Sequence, residues 1–228
     1  MSPRFVAALA AAVLTCTALA AWAAVPSAAR GETSCAAQGY TYAGLAQNEG
    51  VHGVSAALTA VSAPRVAGGH VAAWVGVGGR GAGPAGTNAW LQAGLAAYPG
   101  SGSRLYYELM LPNGRRYVEL ARGVLPGTRF TVSVLEVAPG TWHVLVDGRA
   151  VSPAFAIPVS SPGLPAIVTA ESWATATQAS NSYAFGFAGA QLIDSDGMWH
   201  AFSRPQIIVS SATRITRRST TGFLASTS

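Results

Sequence analysis

The chain contains no lysine, only two cysteines and only nine acidic residues among its 228 positions. Without lysine there is no amine side chain for Schiff-base chemistry, and every one of the 14 basic residues is an arginine. These arginines are scattered, apart from Arg115/Arg116 and Arg217/Arg218. No basic stripe with interleaved aromatics is present, which argues against a nucleic-acid partner despite the net charge of +5. Of the cysteines, Cys16 falls in an N-terminal apolar run, leaving Cys35 alone and no intramolecular disulfide to expect in the processed chain. The sequence also lacks an H-E-x-x-H pair, a G-x-S-x-G elbow and any sustained helical periodicity beyond its first two dozen residues. His52, His70, His143 and His200 are far apart, so no metal site is expected.

What is present begins with Arg4, an apolar run from Phe5, and Ala21-Trp22-Ala23 as a small-x-small cleavage site. Residues 1–24 therefore read as a signal peptide and 25–39 as a flexible lead. No basic stop-transfer cluster follows, so the expectation is a secreted, extracellular protein with no stable membrane insertion after cleavage. Half of the residues are apolar, enough to bury a substantial core. Short runs rich in β-branched and aromatic residues cover 105–111, 116–120, 129–137, 142–146 and 154–159. They are punctuated by Asn113-Gly114, Pro126-Gly127, Pro139-Gly140 and Asp147-Gly148, pairs that favour hairpin turns. This pattern predicts an all-β fold, a two-sheet antiparallel β-sandwich over 40–213, with a polar tail over 214–228.

The most informative stretch runs from His70 to Tyr98. Val71, Ala73, Val75 and Val77 alternate with Ala72, Trp74, Gly76 and Gly78; Ala89, Leu91, Ala93 and Leu95 alternate with Trp90, Gln92 and Gly94. Period-two spacing sends the aliphatic sets to a core and the indoles, amide and glycines to the opposite face. Gly76, Gly78 and Gly81 fit G-x-G-x-x-G, but Ala82-Gly83-Pro84 follows where a dinucleotide site needs a helix, so the stretch reads as a loop. Among the carboxylates, Asp147, Asp194 and Asp196 sit in turns. Glu108 shares a face with Arg104, Tyr106 and Met110, and Glu171 lies in the uncharged run PAIVTAESW beside Thr169 and Trp173. A carboxylate there costs desolvation unless it is paired or opens to solvent.

AWVGVGG (73–79), WLQAG (90–94), YYELMLP (106–112) and TAESW (169–173) stand in an order that resembles the glutamic peptidases, or eqolisins, and the chain looks like a divergent bacterial-type member. The resemblance spans roughly 40–192 and implies a concanavalin A-like jelly roll and hydrolysis of polypeptides in acid, with no metal and no cofactor. It casts Gln92 and Glu171 as catalytic, with Trp74, Trp90, Tyr106, Glu108 and Trp173 lining the substrate site. There are departures: Gly78 and Ala96 stand where that pattern has aspartates, and Tyr106 where it has tryptophan. In such a site Glu171 activates water and returns the proton to the leaving amine, while the Gln92 amide stabilises the oxyanion. The alternative is a non-catalytic concanavalin-like module that binds peptide or carbohydrate, since the fold alone does not choose between them.

Overall fold

The computed structural model describes residues 39–158, 163–174 and 180–228. The expected signal peptide and all of the lead but Gly39 lie outside them. The chain forms β1 (Gly39–Val51), β2 (Gly53–Ala60), β3 (His70–Gly79), β4 (Ala89–Ala97), β5 (Ser103–Leu111), β6 (Gly114–Val124), β7 (Arg129–Ala138) and β8 (Thr141–Val146). It continues through β9 (Arg149–Ala150), β10 (Phe155–Ala156), β11 (Leu164–Ala174), β12 (Ala184–Ile193), β13 (Trp199–Ala201), β14 (Gln206–Val209), β15 (Thr213–Arg217) and β16 (Phe223–Thr227). One 3-10 turn, Pro84–Gly86, interrupts the strands where the glycine-rich loop was expected.

Two sheets result. One has seven strands in the order β14-β1-β11-β3-β4-β5-β6 among the described residues. The other runs β10-β8-β7-β2-β12-β16-β15, with β13 beside β12 and β9 beside β8. Every pairing between named strands is antiparallel, in hairpins such as β3–β4 and in long-range pairs such as β1–β11 alike. At the β8–β9 turn Asp147 and Gly148 have φ of 49° and 77°, the left-handed pair that a two-residue hairpin requires. The all-β sandwich expected from the sequence is the observed fold.

Between the sheets lies one apolar core. Val71, Val75, Leu91, Leu95, Leu105 and Leu109, expected inside from their alternation, are all buried there. They meet Val54, Leu58, Val132, Val134, Trp142 and Phe185 from the facing sheet. Each such side chain contributes roughly 1.5–3 kcal/mol on leaving water, and no disulfide among the described residues supplements them.

The expected polar tail is a correction. Residues 214–228 instead supply most of β15 and all of β16, and β16 is an interior strand between β12 and β15. Phe223 and Ala225 enter the core, with the Phe223 ring stacked 4.4 Å from that of Phe187. The alternation FLAST is short, and its polar neighbours conceal it.

Candidate active site

The face of the seven-stranded sheet that points away from the core carries the polar half of each alternation. Register fixes its rows. Tyr40, Trp173 and His70 lie side by side across β1, β11 and β3. The next row is Tyr42, Glu171, Ala72, Ala96 and Arg104. Then come Gly44, Thr169, Trp74, Gly94 and Tyr106, followed by Ala46, Ile167, Gly76, Gln92 and Glu108. Gly78, Trp90 and Met110 close the series. All seven sequence-predicted site residues (Trp74, Trp90, Gln92, Tyr106, Glu108, Glu171 and Trp173) thus occupy one outer face.

The sequence reading also expected Gln92 and Glu171 on neighbouring strands, and here the structure differs. β3 runs between them, and Gln92 pairs with Gly76 where Glu171 pairs with Ala72. Two strand spacings of about 4.8 Å and four residues of about 3.4 Å separate their Cα atoms by about 17 Å. The space between belongs to Trp74 and Tyr106, which pack with Ala72 and Ala96 into a second apolar cluster on this face. The carboxylate aligned directly beside Gln92 is Glu108 of β5, and the β11 residue across β3 from it is Ile167.

Most polar groups at the centre of this face are paired, whereas among the described residues the Trp90 indole N–H and the Tyr117 hydroxyl are buried without a hydrogen-bond partner. The Trp74 indole N–H donates to Glu171 Oε2 at 3.2 Å, and His70 Nε2 lies 2.8 Å from Glu171 Oε1. An ionised carboxylate only accepts, so Nε2 carries the proton in that pairing. Gln92 Nε2 donates to the Tyr106 hydroxyl at 3.3 Å, and Arg115 Nη2 donates to Glu108 Oε2 at 2.6 Å. These bonds explain how Glu108 and Glu171 tolerate exposures of 5% and 7%. Burial pushes the Tyr106 hydroxyl far above its usual range, with the charges of Glu171 and Glu108 adding to the effect. Tyr42 is raised in the same way, by burial first and then by Glu171.

Glycines on this face serve the neighbouring backbones. A Cβ on Gly94 would stand 1.9 Å from Ala73 O and 2.7 Å from Trp74 Cα, and one on Gly44 2.3 Å from Val168 O. At Gly78 the φ of +88° favours glycine, and a Cβ would lie 2.2 Å from Ala89 O. The backbone there excludes an aspartate as well as lacking one.

Sequence reasoning excluded His70 from a metal site without giving it a role, and gave Asn181 none. His70 stands at the first position of β3 on the same alternation as Trp74, a signal available from the sequence; its partner Glu171 is 101 residues away. Asn181 pins the strand ends that carry His70 and Trp173, donating to Gly68 O at 2.9 Å and Trp173 O at 3.1 Å and accepting from Ala67 N at 3.0 Å. Away from this face, Asp194, Asp196 and His200 bring donor atoms within 4.8 Å of one another between β12 and β13. There His200 Nε2 bonds Asp196 at 2.8 Å and Asp196 accepts from Met198 N at 2.7 Å, so the turn satisfies itself.

No protein-family model and no curated protein matches this sequence. Solved structures do resemble the fold. A crystal structure of scytalido-glutamic peptidase with a peptide-based transition-state analog superposes with a TM-score of 0.59 at 18% identity, over 82% of this chain and 98% of that one. A second structure of that peptidase, with a transition-state analog inhibitor, gives 0.58 at 19% identity, over 82% and 97% of the two chains. SCP-B, a member of the eqolisin family of peptidases in complex with the tripeptide Ala-Ile-His, gives 0.56 at 18% identity over 82% and 98%. At this identity the likeness establishes the sandwich fold.

Proposed function

We propose that the outer face of the seven-stranded sheet binds an extended polypeptide and hydrolyses it in acid, as a glutamic-type endopeptidase exported from the cell. Glu171 is the general base and then the acid, and Gln92 supplies the oxyanion N–H. The observation that carries this reading is their shared face: each is hydrogen-bonded to one member of the Trp74–Tyr106 pair between them. It is also the fold in which scytalido-glutamic peptidase holds a peptide-based transition-state analog. A substrate carbonyl and its attacking water would lie over the Trp74–Tyr106 pair that separates the two side chains. Glu171 accepts the water's proton and returns it to the departing amine. The Gln92 amide steadies the oxyanion and does not titrate.

A second reading, a module that holds peptide or glycan without cutting it, is favoured by one observation: Trp74 and Tyr106 are packed and buried in that gap. Incubating the purified protein with an unfolded protein substrate from strong acid to neutrality separates the two. Cleavage in acid is expected, abolished in Glu171→Gln and reduced on the order of a hundredfold or more in Gln92→Ala, as for loss of one oxyanion donor. Peptide or glycan binding without cleavage at any pH establishes the module instead.

A further inference from the structure

Beyond the pair singled out above, Glu171 has a partner whose surroundings hold it in place. The His70 imidazole is flanked by Trp173 at 5.7 Å, Tyr98 at 5.8 Å and Tyr40 at 6.2 Å between ring centroids. Its Nε2 meets Glu171 Oε1 at 2.8 Å. The rings meet the imidazole tilted or edge-on and restrict its movement, while the carboxylate fixes its Nε2. The side chain is 18% exposed, against 9% for that of Glu171, so His70 is the more solvent-accessible member. The cage is also braced from behind: Asn181 Nδ2 lies within 3.5 Å of His70 O and 3.1 Å of both Ser172 Oγ and Trp173 O.

We infer that His70 is the positioning residue of Glu171. Set among Tyr40, Tyr98 and Trp173, it fixes one carboxylate oxygen while Trp74 fixes the other, so that Glu171 is held in a single orientation. The groups facing it are Glu171 from β11, Tyr40 and Tyr42 from β1, and Tyr98 just beyond β4, over which the Arg104 guanidinium of β5 sits at 4.9 Å. Arg104 is itself engaged by Glu119 at 2.8 Å, which leaves Glu171 as the acidic partner in contact with His70. The inference rests on the hydrolytic reading for its catalytic consequence, whereas the pairing has a signature of its own.

Two measurements test it. An imidazolium quenches a neighbouring indole, so tryptophan fluorescence of the purified protein followed between pH 4 and 9 should contain a step. That step should vanish in His70→Gln and in Trp173→Phe and persist in His200→Gln. In Glu171→Gln the step should change, because the group that His70 Nε2 bonds is altered. In the cleavage assay, His70→Ala should lower kcat about tenfold to a hundredfold, the scale of losing an orienting partner. His70→Gln, which still donates an N–H, should recover most of that loss and lose the part of the pH profile that tracks the fluorescence step. A step that survives His70→Gln or is unchanged in Glu171→Gln overturns the inference, as does a His70→Ala enzyme with the wild-type kcat and pH profile. A protein that cleaves nothing yet shows the full fluorescence pattern refutes the hydrolytic reading and supports the pairing.

Discussion

Gly78→Asp puts back the residue type that the resembling peptidases carry, and the structure requires it to do harm. Gly78 has a φ of +88°, and an added Cβ would lie 2.2 Å from Ala89 O and 2.9 Å from Trp90 Cα. The left-handed backbone costs a non-glycine residue about 1–2 kcal/mol. Pressing a Cβ against main-chain atoms that cannot swing aside adds about 1–3 kcal/mol. The carboxylate would also approach a carbonyl oxygen, a repulsion that neither figure includes. A loss of about 2–5 kcal/mol corresponds to a fall of roughly 4–20 °C in Tm for a domain of this size. Thermal melts followed by circular dichroism measure it, with Gly102→Ala as the control. Gly102 has no positive φ, and its nearest neighbour to an added Cβ is Gly123 Cα at 3.9 Å, so that variant should melt at or slightly above the wild-type temperature. If Gly78→Asp keeps the wild-type Tm and cleaves faster, the β3–β4 backbone described here is wrong.

Two further outcomes follow from the packing. Gly94→Ala should cost about 1–3 kcal/mol by overpacking and, by displacing Trp74, weaken its bond to Glu171; a denaturant midpoint unchanged from wild type would contradict that. The hydroxyls of Tyr42, Tyr106, Tyr117 and Tyr183 are all raised, chiefly by burial. Unfolded tyrosines lose their protons near pH 10 while the folded ones keep theirs, so stability is complete below about pH 10 and falls as pH rises above it. Melts at stepped alkaline pH should decline there together with a delayed tyrosinate absorbance, and normal titration of these tyrosines in a still-folded protein would oppose the assignment.

Much of this architecture was legible because alternation is a local property. Val71 to Val77 and Leu91 to Leu95 announce which way each strand faces, and Asp147-Gly148 announces its own turn. The same rule turns Gln92 and Glu171 each away from the core, while their placement in one sheet comes from the strand order. Their separation does not follow from alternation, because it depends on how far β11 slides along β3, which is set by contacts between residues about ninety positions apart. The role of His70 was hidden for the same reason: its chemistry comes from Glu171, Trp173, Tyr98 and Tyr40, and all four lie outside β3. Glycines 76, 78 and 94 fall on the outer face by alternation, yet the space beside them is taken largely by adjacent main chain. The last strands were passed over because β15 alternates Thr and Arg and has little apolar signal to offer.

The seating of β16 between β12 and β15 bears on how such a chain is made. β1 needs β11, more than a hundred residues downstream, and the nine-stranded sheet needs residues 223–227 before β15 has anything to hold. During vectorial synthesis at about 5–20 residues per second, neither layer can close until nearly the whole polypeptide has emerged. The nascent chain therefore spends tens of seconds as an open, threadable polymer with β-prone edges bare, and pairings this distant in sequence are themselves slow to form. That interval is when holding chaperones would have their work, and it is also the physical state in which a polypeptide can pass through a narrow pore.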